Sequence, residues 1–424
     1  MLIHSASQLL TLAGGPQRGH ALGTLGIIPN GAVVIREEKI VAVGPTDELR
    51  SAYKDEPTLD ASGCVILPGF VDPHTHLIWA GDRASEFEMK MAGRPYLDIL
   101  AAGGGIISTV RQTRAASIET LIAQTRSRLL RMFACGTTTA EAKTGYGLQT
   151  ATELRLLKAL LALDSEGPLD LAITFLGAHA IAPEFKDDPQ GYTDLVCNTM
   201  LPTVQQWWQT HAPRLPLPFV DVFCENKAFT LEQSRQVLTT AASLGFPLKI
   251  HADEFDNLGG ASLAAELGAA SADHLVKTSD ADIAALAKSD TVAVSLPCTP
   301  FGLAEHDYTP AKKIIAADGY FALATDCNPG TTWNESMQFV IALSCRTMGL
   351  TPAQAIAAAT INSAHAIRRS DKIGSLEEGK QADLLSLHVP DYRHVGYRYG
   401  TNLVKQVVKC GRVYSVDVGY YRTA

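Results

Sequence analysis

Hydrophobic and polar positions divide the chain into three zones. In the first, Gly31-Ala32-Val33-Val34-Ile35-Arg36 and Lys39-Ile40-Val41-Ala42-Val43-Gly44 are β-rich runs joined by a short charged turn, which predicts a hairpin. The last zone repeats the pattern, with a strand across 382–389 and a hairpin across 406–416 turning at Lys409-Cys410-Gly411. Between them, short apolar strands alternate with helical stretches. Strands are expected at 65–71, 137–140, 171–176, 219–223, 248–250, 271–273, 292–296 and 321–324. Helices are expected at 118–133, 153–163, 231–244, 260–266, 279–287 and 352–366.

Eight strand slots with intervening helices over this length predict an α/β fold, a (β/α)₈ barrel of the TIM type. The β segments at the two termini then pair into one small β-sandwich domain. The division is residues 1–66 and 373–424 for that domain and 67–372 for the barrel.

Composition narrows the class. The 424 residues carry a net charge of −8 and no Lys/Arg-rich block, which excludes nucleic acid as the expected partner. The eight cysteines are scattered with no C-x-x-C, the pattern of reduced thiols in a cytoplasmic protein. The N-terminus lacks the basic and apolar regions of a signal peptide. The least charged long segment, 347–367, is interrupted by Pro352, Gln354, Asn362 and His365, so no membrane partner is expected.

A barrel presents its chemistry at the C-terminal ends of its strands. His74 and His76 follow the first predicted strand, His179 the third, His251 and Glu254 the fifth, His274 the sixth, and Asp326 with Asn328 the last. A His-x-His pair alone is more often solvated or packed than ligating. This one gains weight from the other strand ends. His74, His76, His251 and Asp326 make the sensible ligand set, three imidazoles and a carboxylate, for one divalent or trivalent ion, zinc or iron. Such an ion lowers the pKa of a bound water toward about 7 and polarises the bond under attack. His4, His20, His211, His306, His365, His388 and His394 fit no such slot.

Asp60-x-x-Gly63 followed by Leu67-Pro68-Gly69-Phe70-Val71-Asp72-x-His74-x-His76 resembles the opening signature of the amidohydrolase superfamily. Gly374-Ser375-Leu376-Glu377-Glu378-Gly379-Lys380-Gln381-Ala382-Asp383-Leu384 resembles its closing one. Within the superfamily, the chain is most similar to the imidazolonepropionase family. The resembling segments are Gly81-Asp82-Arg83, the stretch from Gly103-Gly104-Gly105 to Arg114, Lys143-Thr144-Gly145-Tyr146, and Phe175-Leu176-Gly177-Ala178-His179. His251-Ala252-Asp253-Glu254, Ala272-Asp273-His274 and Thr325-Asp326-x-Asn328-Pro329-Gly330-Thr331 complete the set.

The resemblance implies a metal-dependent barrel with a composite β-sandwich. It implies hydrolysis of 4-imidazolone-5-propanoate to N-formimidoyl-L-glutamate, in a homodimer. Such a substrate carries a carboxylate, which the planar fork of Arg83 can grip bidentately. Tyr96 and Tyr146 add hydroxyl donors, His179 a ring hydrogen bond, and Asn328, Gly330 and Thr331 the remaining substrate contacts. Glu254 is the expected general base, helped by Asp326, and His274 stabilises the oxyanion or passes a proton. Binuclear relatives bridge two ions with a lysine on the fourth barrel strand. Here the run ending at His179 is taken for that place and holds no lysine, and Lys143 lies one strand earlier, so one metal ion per chain is expected.

Two other readings fit the same motifs. A deaminase of a heterocyclic base shares the His-x-His and the His251–Glu254 spacing, but does not require Arg83. A non-catalytic assembly relative would be expected to lack metal ligands, and all four candidates are here.

Overall fold

The structure is a computed structural model that describes residues 1–94 and 104–416. Among the described residues, sixteen strands form two sheets of eight. Strands β1 (Leu2–Leu10), β2 (Ile27–Arg36), β3 (Lys39–Pro45), β4 (Thr58–Asp60) and β5 (Val65–Pro68) belong to the terminal sheet. The barrel strands are β6 (Phe70–Asp72), β7 (Thr137–Lys143), β8 (Asp170–Ala178), β9 (Phe219–Cys224), β10 (Lys249–Ala252), β11 (Ser271–His274), β12 (Val292–Ser295) and β13 (Phe321–Leu323). Strands β14 (Leu384–Leu387), β15 (Val404–Lys409) and β16 (Arg412–Ser415) return to the terminal sheet.

The terminal sheet runs β16-β15-β14-β5-β1-β2-β3, with β4 on β1, so the two chain ends meet where β14 pairs antiparallel with β5. Both predicted hairpins are present. Arg36 pairs with Lys39 and Lys409 with Arg412. Their tight turns put Glu37, Cys410 and Gly411 at φ of 52°, 47° and 75°, the left-handed region that two-residue hairpin turns demand.

The strand expected across 65–71 is two strands. β5 pairs with β1 and β14, whereas β6 pairs with β7 of the barrel. The chain changes sheets at Gly69, whose N–H donates to Asp383 O (3.1 Å), while Phe70 N donates to Gly136 O (3.0 Å). A Cβ at Gly69 would stand 2.2 Å from Thr138 Oγ1, so only glycine lets the sheets pass this closely.

The barrel strands are parallel and neighbour one another in chain order, β6 to β13, so the run ending at His179 closes the third strand and not the fourth, which is β9 and also carries no lysine. Their cores are buried on both faces, as expected of strands covered by helices outside and packed inside. The first and last strands meet just beyond their ends, at a Thr75–Cys327 bridge. Asp326 N donates to His74 O (3.1 Å) and His76 N to Cys327 O (3.0 Å). The His-x-His segment is therefore the rung that draws the barrel closed.

Most predicted helices hold within a few residues, Ile118–Ala134 and Leu231–Ser243 among them. The helix expected across 352–366 is broken into Pro352–Ala358 and Ile361–Ala366. Thr360 and Ser363 hydroxyls donate to Ile356 O (2.7 Å) and Ala358 O (2.6 Å), offering the backbone an alternative to the helical ladder. Helices at Pro189–Leu195, Leu201–His211 and Met337–Thr347 lack a counterpart in the sequence reading. Among the described residues, no helix is long and apolar enough to cross a membrane.

Candidate metal centre

Three elements deliver the four metal-ligand candidates to one end of the barrel. His74 and His76 flank the closing rung, His251 lies in β10, and Asp326 follows β13 with φ of 55°. The extended backbone at Thr75 puts the two imidazoles on one side, as alternation along a strand requires. His76 Nε2 is 3.3 Å from both His74 Nε2 and His251 Nε2. Asp326 Oδ1 lies 3.6 Å from His74 Nε2 and 3.5 Å from His76 Nε2.

This oxygen is buried and has no hydrogen-bond partner, while its twin accepts from Thr299 Oγ1 (2.6 Å). Burial also pushes the pKa of Asp326 up to about 6, against the hydrogen bond from Thr299. The other faces of the rings explain the arrangement. His74 Nδ1 lies 2.6 Å from Asp273 Oδ2, and His251 Nδ1 lies 3.0 Å from Asp221 Oδ2. A proton held on Nδ1 of His74 leaves its Nε2 lone pair facing Asp326 and His76, and the carboxylate of Asp221 near Nδ1 of His251 favours the same tautomer there. Burial keeps His74 and His76 neutral, reinforced by neighbouring cationic or imidazole groups. Converging lone pairs with an unpartnered carboxylate oxygen fit a metal ion.

Beneath the histidines is a charged layer that the sequence reading largely missed. Lys143 Nζ is 2.7 Å from Asp221 Oδ2 and 2.8 Å from Glu141 Oε2. Lys249 Nζ is 3.0 Å from Glu141 Oε2 and donates to Pro73 O at 2.6 Å. Both ammoniums stand 3.7 Å from Asp273 Oδ2, and all five side chains are fully buried. Burial opposes the charge of Lys143, but Asp221, Glu141 and Asp273 more than offset it and raise its pKa above that of an ordinary lysine. Donor atoms of His74, Glu141 and Asp273 also converge, but these ammoniums already neutralise the two carboxylates. The signal was a charged side chain in an apolar barrel strand, as with Asp221 in Phe219–Cys224.

Glu254 and His274 form the next pair, Oε2 to Nε2, at 3.6 Å. His274 ends β11 with φ of 79°, a conformation a non-glycine residue adopts only when its surroundings hold it. His274 could also join His74 and His251 as a ligand, since their ring nitrogens lie within 4.8 Å of one another. Burial, then the charge of Asp326, raises the pKa of Glu254 well above the usual carboxyl range.

The substrate-side candidates border this centre. His179 stacks on His76 (centroids 4.8 Å apart, planes 12° apart), and its Nδ1 is 3.0 Å from Gly145 O, leaving Nε2 as an acceptor. Burial lowers its pKa to about 3. Tyr146 is buried 5.2 Å from His179 and 6.0 Å from His76, ring to ring. Arg83 Nε donates to Glu86 Oε2 (2.8 Å), which also accepts from Gly105 N (3.1 Å). Its Nη1 would lie 2.2 Å from a Cβ at Gly330, so the guanidinium nestles where that side chain is missing. Asn328 ties its own loop: Oδ1 accepts from Gly330 N and Thr331 N at 2.8 Å each, and Nδ2 donates to Asp326 O (2.8 Å) and Thr331 Oγ1 (2.9 Å). Asn328, Gly330 and Thr331 thus shape the wall beside Arg83 largely through the loop they build. Tyr96 lies outside the described residues.

A parallel barrel carrying histidines and a carboxylate at its C-terminal end, clasped by a sheet from both termini, defines an amidohydrolase-type protein, a class whose members bind a metal. The Amidohydrolase family profile matches residues 228–413, and that of the Imidazolonepropionase-like composite domain of bacteria matches residues 31–53. The chain is 52% identical to the imidazolonepropionase of Herpetosiphon aurantiacus over 97% of its own length and 96% of the relative's. It is 47% identical to that of Chloroflexus aggregans, covering 97% and 98% of the two chains. The chain belongs to the imidazolonepropionase family. Solved structures share the fold at low identity. One is a zinc-bound adenosine deaminase from Xanthomonas campestris (TM-score 0.70, 18% identity, 100% and 94% covered). Another is a 5-methylcytosine deaminase from Klebsiella pneumoniae (TM-score 0.74, 18% identity, 100% and 99% covered).

Proposed function

We propose that this enzyme hydrolyses the cyclic amide of 4-imidazolone-5-propanoate to N-formimidoyl-L-glutamate, with one zinc or iron ion held by His74, His76, His251 and Asp326. The near-full-length likeness to imidazolonepropionases carries the reading, and the site chemistry agrees with it. An ion in this donor set supplies Lewis-acid polarisation and activation of water.

The chain's own residues do the rest. Arg83 grips the propionate of the substrate through the guanidinium face left free by Glu86. His179 accepts a hydrogen bond from the ring at Nε2, and Tyr146 offers a hydroxyl beside it, with Tyr96 a further hydroxyl donor. Glu254, aided by Asp326, takes the proton of the attacking water. Water's oxygen bonds to the ring carbonyl carbon, and the bond from that carbon to the ring nitrogen breaks. Glu254 passes that proton to the leaving nitrogen by way of His274, which faces it at 3.6 Å and also stabilises the oxyanion. Asn328, Gly330 and Thr331 hold the wall against which Arg83 lies.

The same reading makes the enzyme a cytoplasmic homodimer, in keeping with its eight free cysteines. Incubating purified enzyme with imidazolone propionate decides the chemistry. Formimidoylglutamate is the expected product. Release of ammonia would point to the deaminase reading, and a protein inert with added zinc or iron to a non-catalytic one.

A further inference from the structure

Two loops flank the carboxylate grip, one running from His76 to Arg83 and the other from Asp326 to Glu335. Each contributes a tryptophan. Trp79 and Trp333 meet edge to face, 5.0 Å between centroids and 84° between planes. Arg128, from the helix Ile118–Ala134, reaches up between them. Its guanidinium carbon is 3.3 Å from the Trp79 ring centroid and 5.4 Å from that of Trp333. Its Nη1 donates to Leu77 O (2.9 Å) and Trp79 O (3.1 Å), on the backbone that leads to Arg83.

Arg128 is 2% exposed, and its Nε has no hydrogen-bond partner. Among the described residues no ion pair holds it, and its partners are two carbonyls, the two indoles and, at 3.5 Å, Gln124. A buried cation without a carboxylate is costly to keep, so the arrangement calls for a reason. The surrounding contacts supply one. Thr113 Oγ1 accepts from Ala80 N (3.1 Å), and Trp79 Nε1 donates to Gly81 O (3.0 Å), which fixes the first loop as far as Gly81. Trp333 Nε1 donates to Glu335 Oε1 (2.8 Å), and Glu335 pairs with Arg131 (2.9 Å) one helical turn beyond Arg128. One helix thus holds both loops, and the loops press Arg83 against Gly330.

We propose that Arg128 is a positioning residue. By stacking on Trp79 and facing Trp333 it sets the register of the two loops, and through them the place of Arg83, so that it governs affinity for the substrate's carboxylate and not the chemistry at the metal. This rests on the assignment of Arg83 to that carboxylate. Lysine could keep the charge and reach a carbonyl, but it lacks the planar face that stacks on an indole.

Arg128→Lys, Arg83→Ala and the double variant test the idea, compared by metal content, acrylamide quenching of tryptophan emission, and steady-state kinetics on imidazolone propionate. In Arg128→Lys we expect unchanged metal content, stronger quenching in ligand-free enzyme, and KM raised about tenfold with kcat within twofold. In the double variant, KM should match that of Arg83→Ala alone, because one residue acts through the other. Normal KM in Arg128→Lys, or fully additive effects on KM, would overturn the proposal. Should Arg128→Lys not fold, Trp333→Leu on the exposed side of the clamp carries the same expectations for metal content, KM and kcat. Wild-type enzyme that leaves imidazolone propionate unchanged refutes the functional reading instead, and the positioning role with it; the quenching data still report whether the clamp exists.

Discussion

Asp273 Oδ2 lies 2.6 Å from His74 Nδ1, both groups fully buried, so a carboxylate on one barrel strand sets the ring orientation of a ligand on another. Asp221 stands 3.0 Å from His251 Nδ1, close enough to bias that ring electrostatically without an aligned hydrogen bond. Such partners raise the basicity of the ligand and fix its tautomer, and their loss typically lowers metal affinity ~10–100-fold. Asp273→Asn should therefore bind metal more weakly by about that factor, read by competition with a chromogenic chelator. Wild-type affinity in this variant would mean that packing alone holds the ring.

Lys143 carries a different burden. It neutralises Glu141 and Asp221 with every partner out of water. Truncating one member of a buried charge network leaves the others uncompensated, at about 3–5 kcal/mol. Lys143→Met should unfold at clearly lower temperature or denaturant concentration than wild type. A melt unchanged within a degree or so would show that water or rearranged partners replace the ammonium.

Much of this was legible in the sequence because barrel strands are short apolar runs and catalytic groups follow them. His251 and Asp326 could be placed by counting from the ends of apolar runs, without any contact being known. Arg128 could not. It sits in an amphipathic helix where an arginine ordinarily faces solvent, and only the approach of two tryptophans from loops distant in sequence explains its burial. The break at Gly69 was hidden for a related reason. An unbroken apolar run does not reveal that its two halves pair with different sheets.

Metal stoichiometry follows from the same charged layer. Glu141 and Asp273 could help hold a second ion near His74, but they already face the ammoniums of Lys143 and Lys249. Elemental analysis should give one ion per chain. Dialysis against chelator should abolish turnover, with zinc or iron restoring it. Two ions per chain would require at least one lysine to leave its carboxylates.

Glu254 and Arg83 should separate cleanly in kinetics. Glu254 stands by His274 at 3.6 Å, and burial and then the charge of Asp326 raise its pKa, a shift that a cation at the ligand cluster would oppose. A positioned general base contributes ~10²–10⁴-fold, so Glu254→Gln should retain its metal while kcat falls by about that factor. Arg83, in contrast, touches the loop wall and not the metal ligands. Arg83→Ala should raise KM and leave kcat nearly unchanged, the signature of lost binding that ground and transition states share. If Arg83→Ala instead lowered kcat with KM intact, the guanidinium would act on the reacting ring, and the carboxylate would have to be held elsewhere.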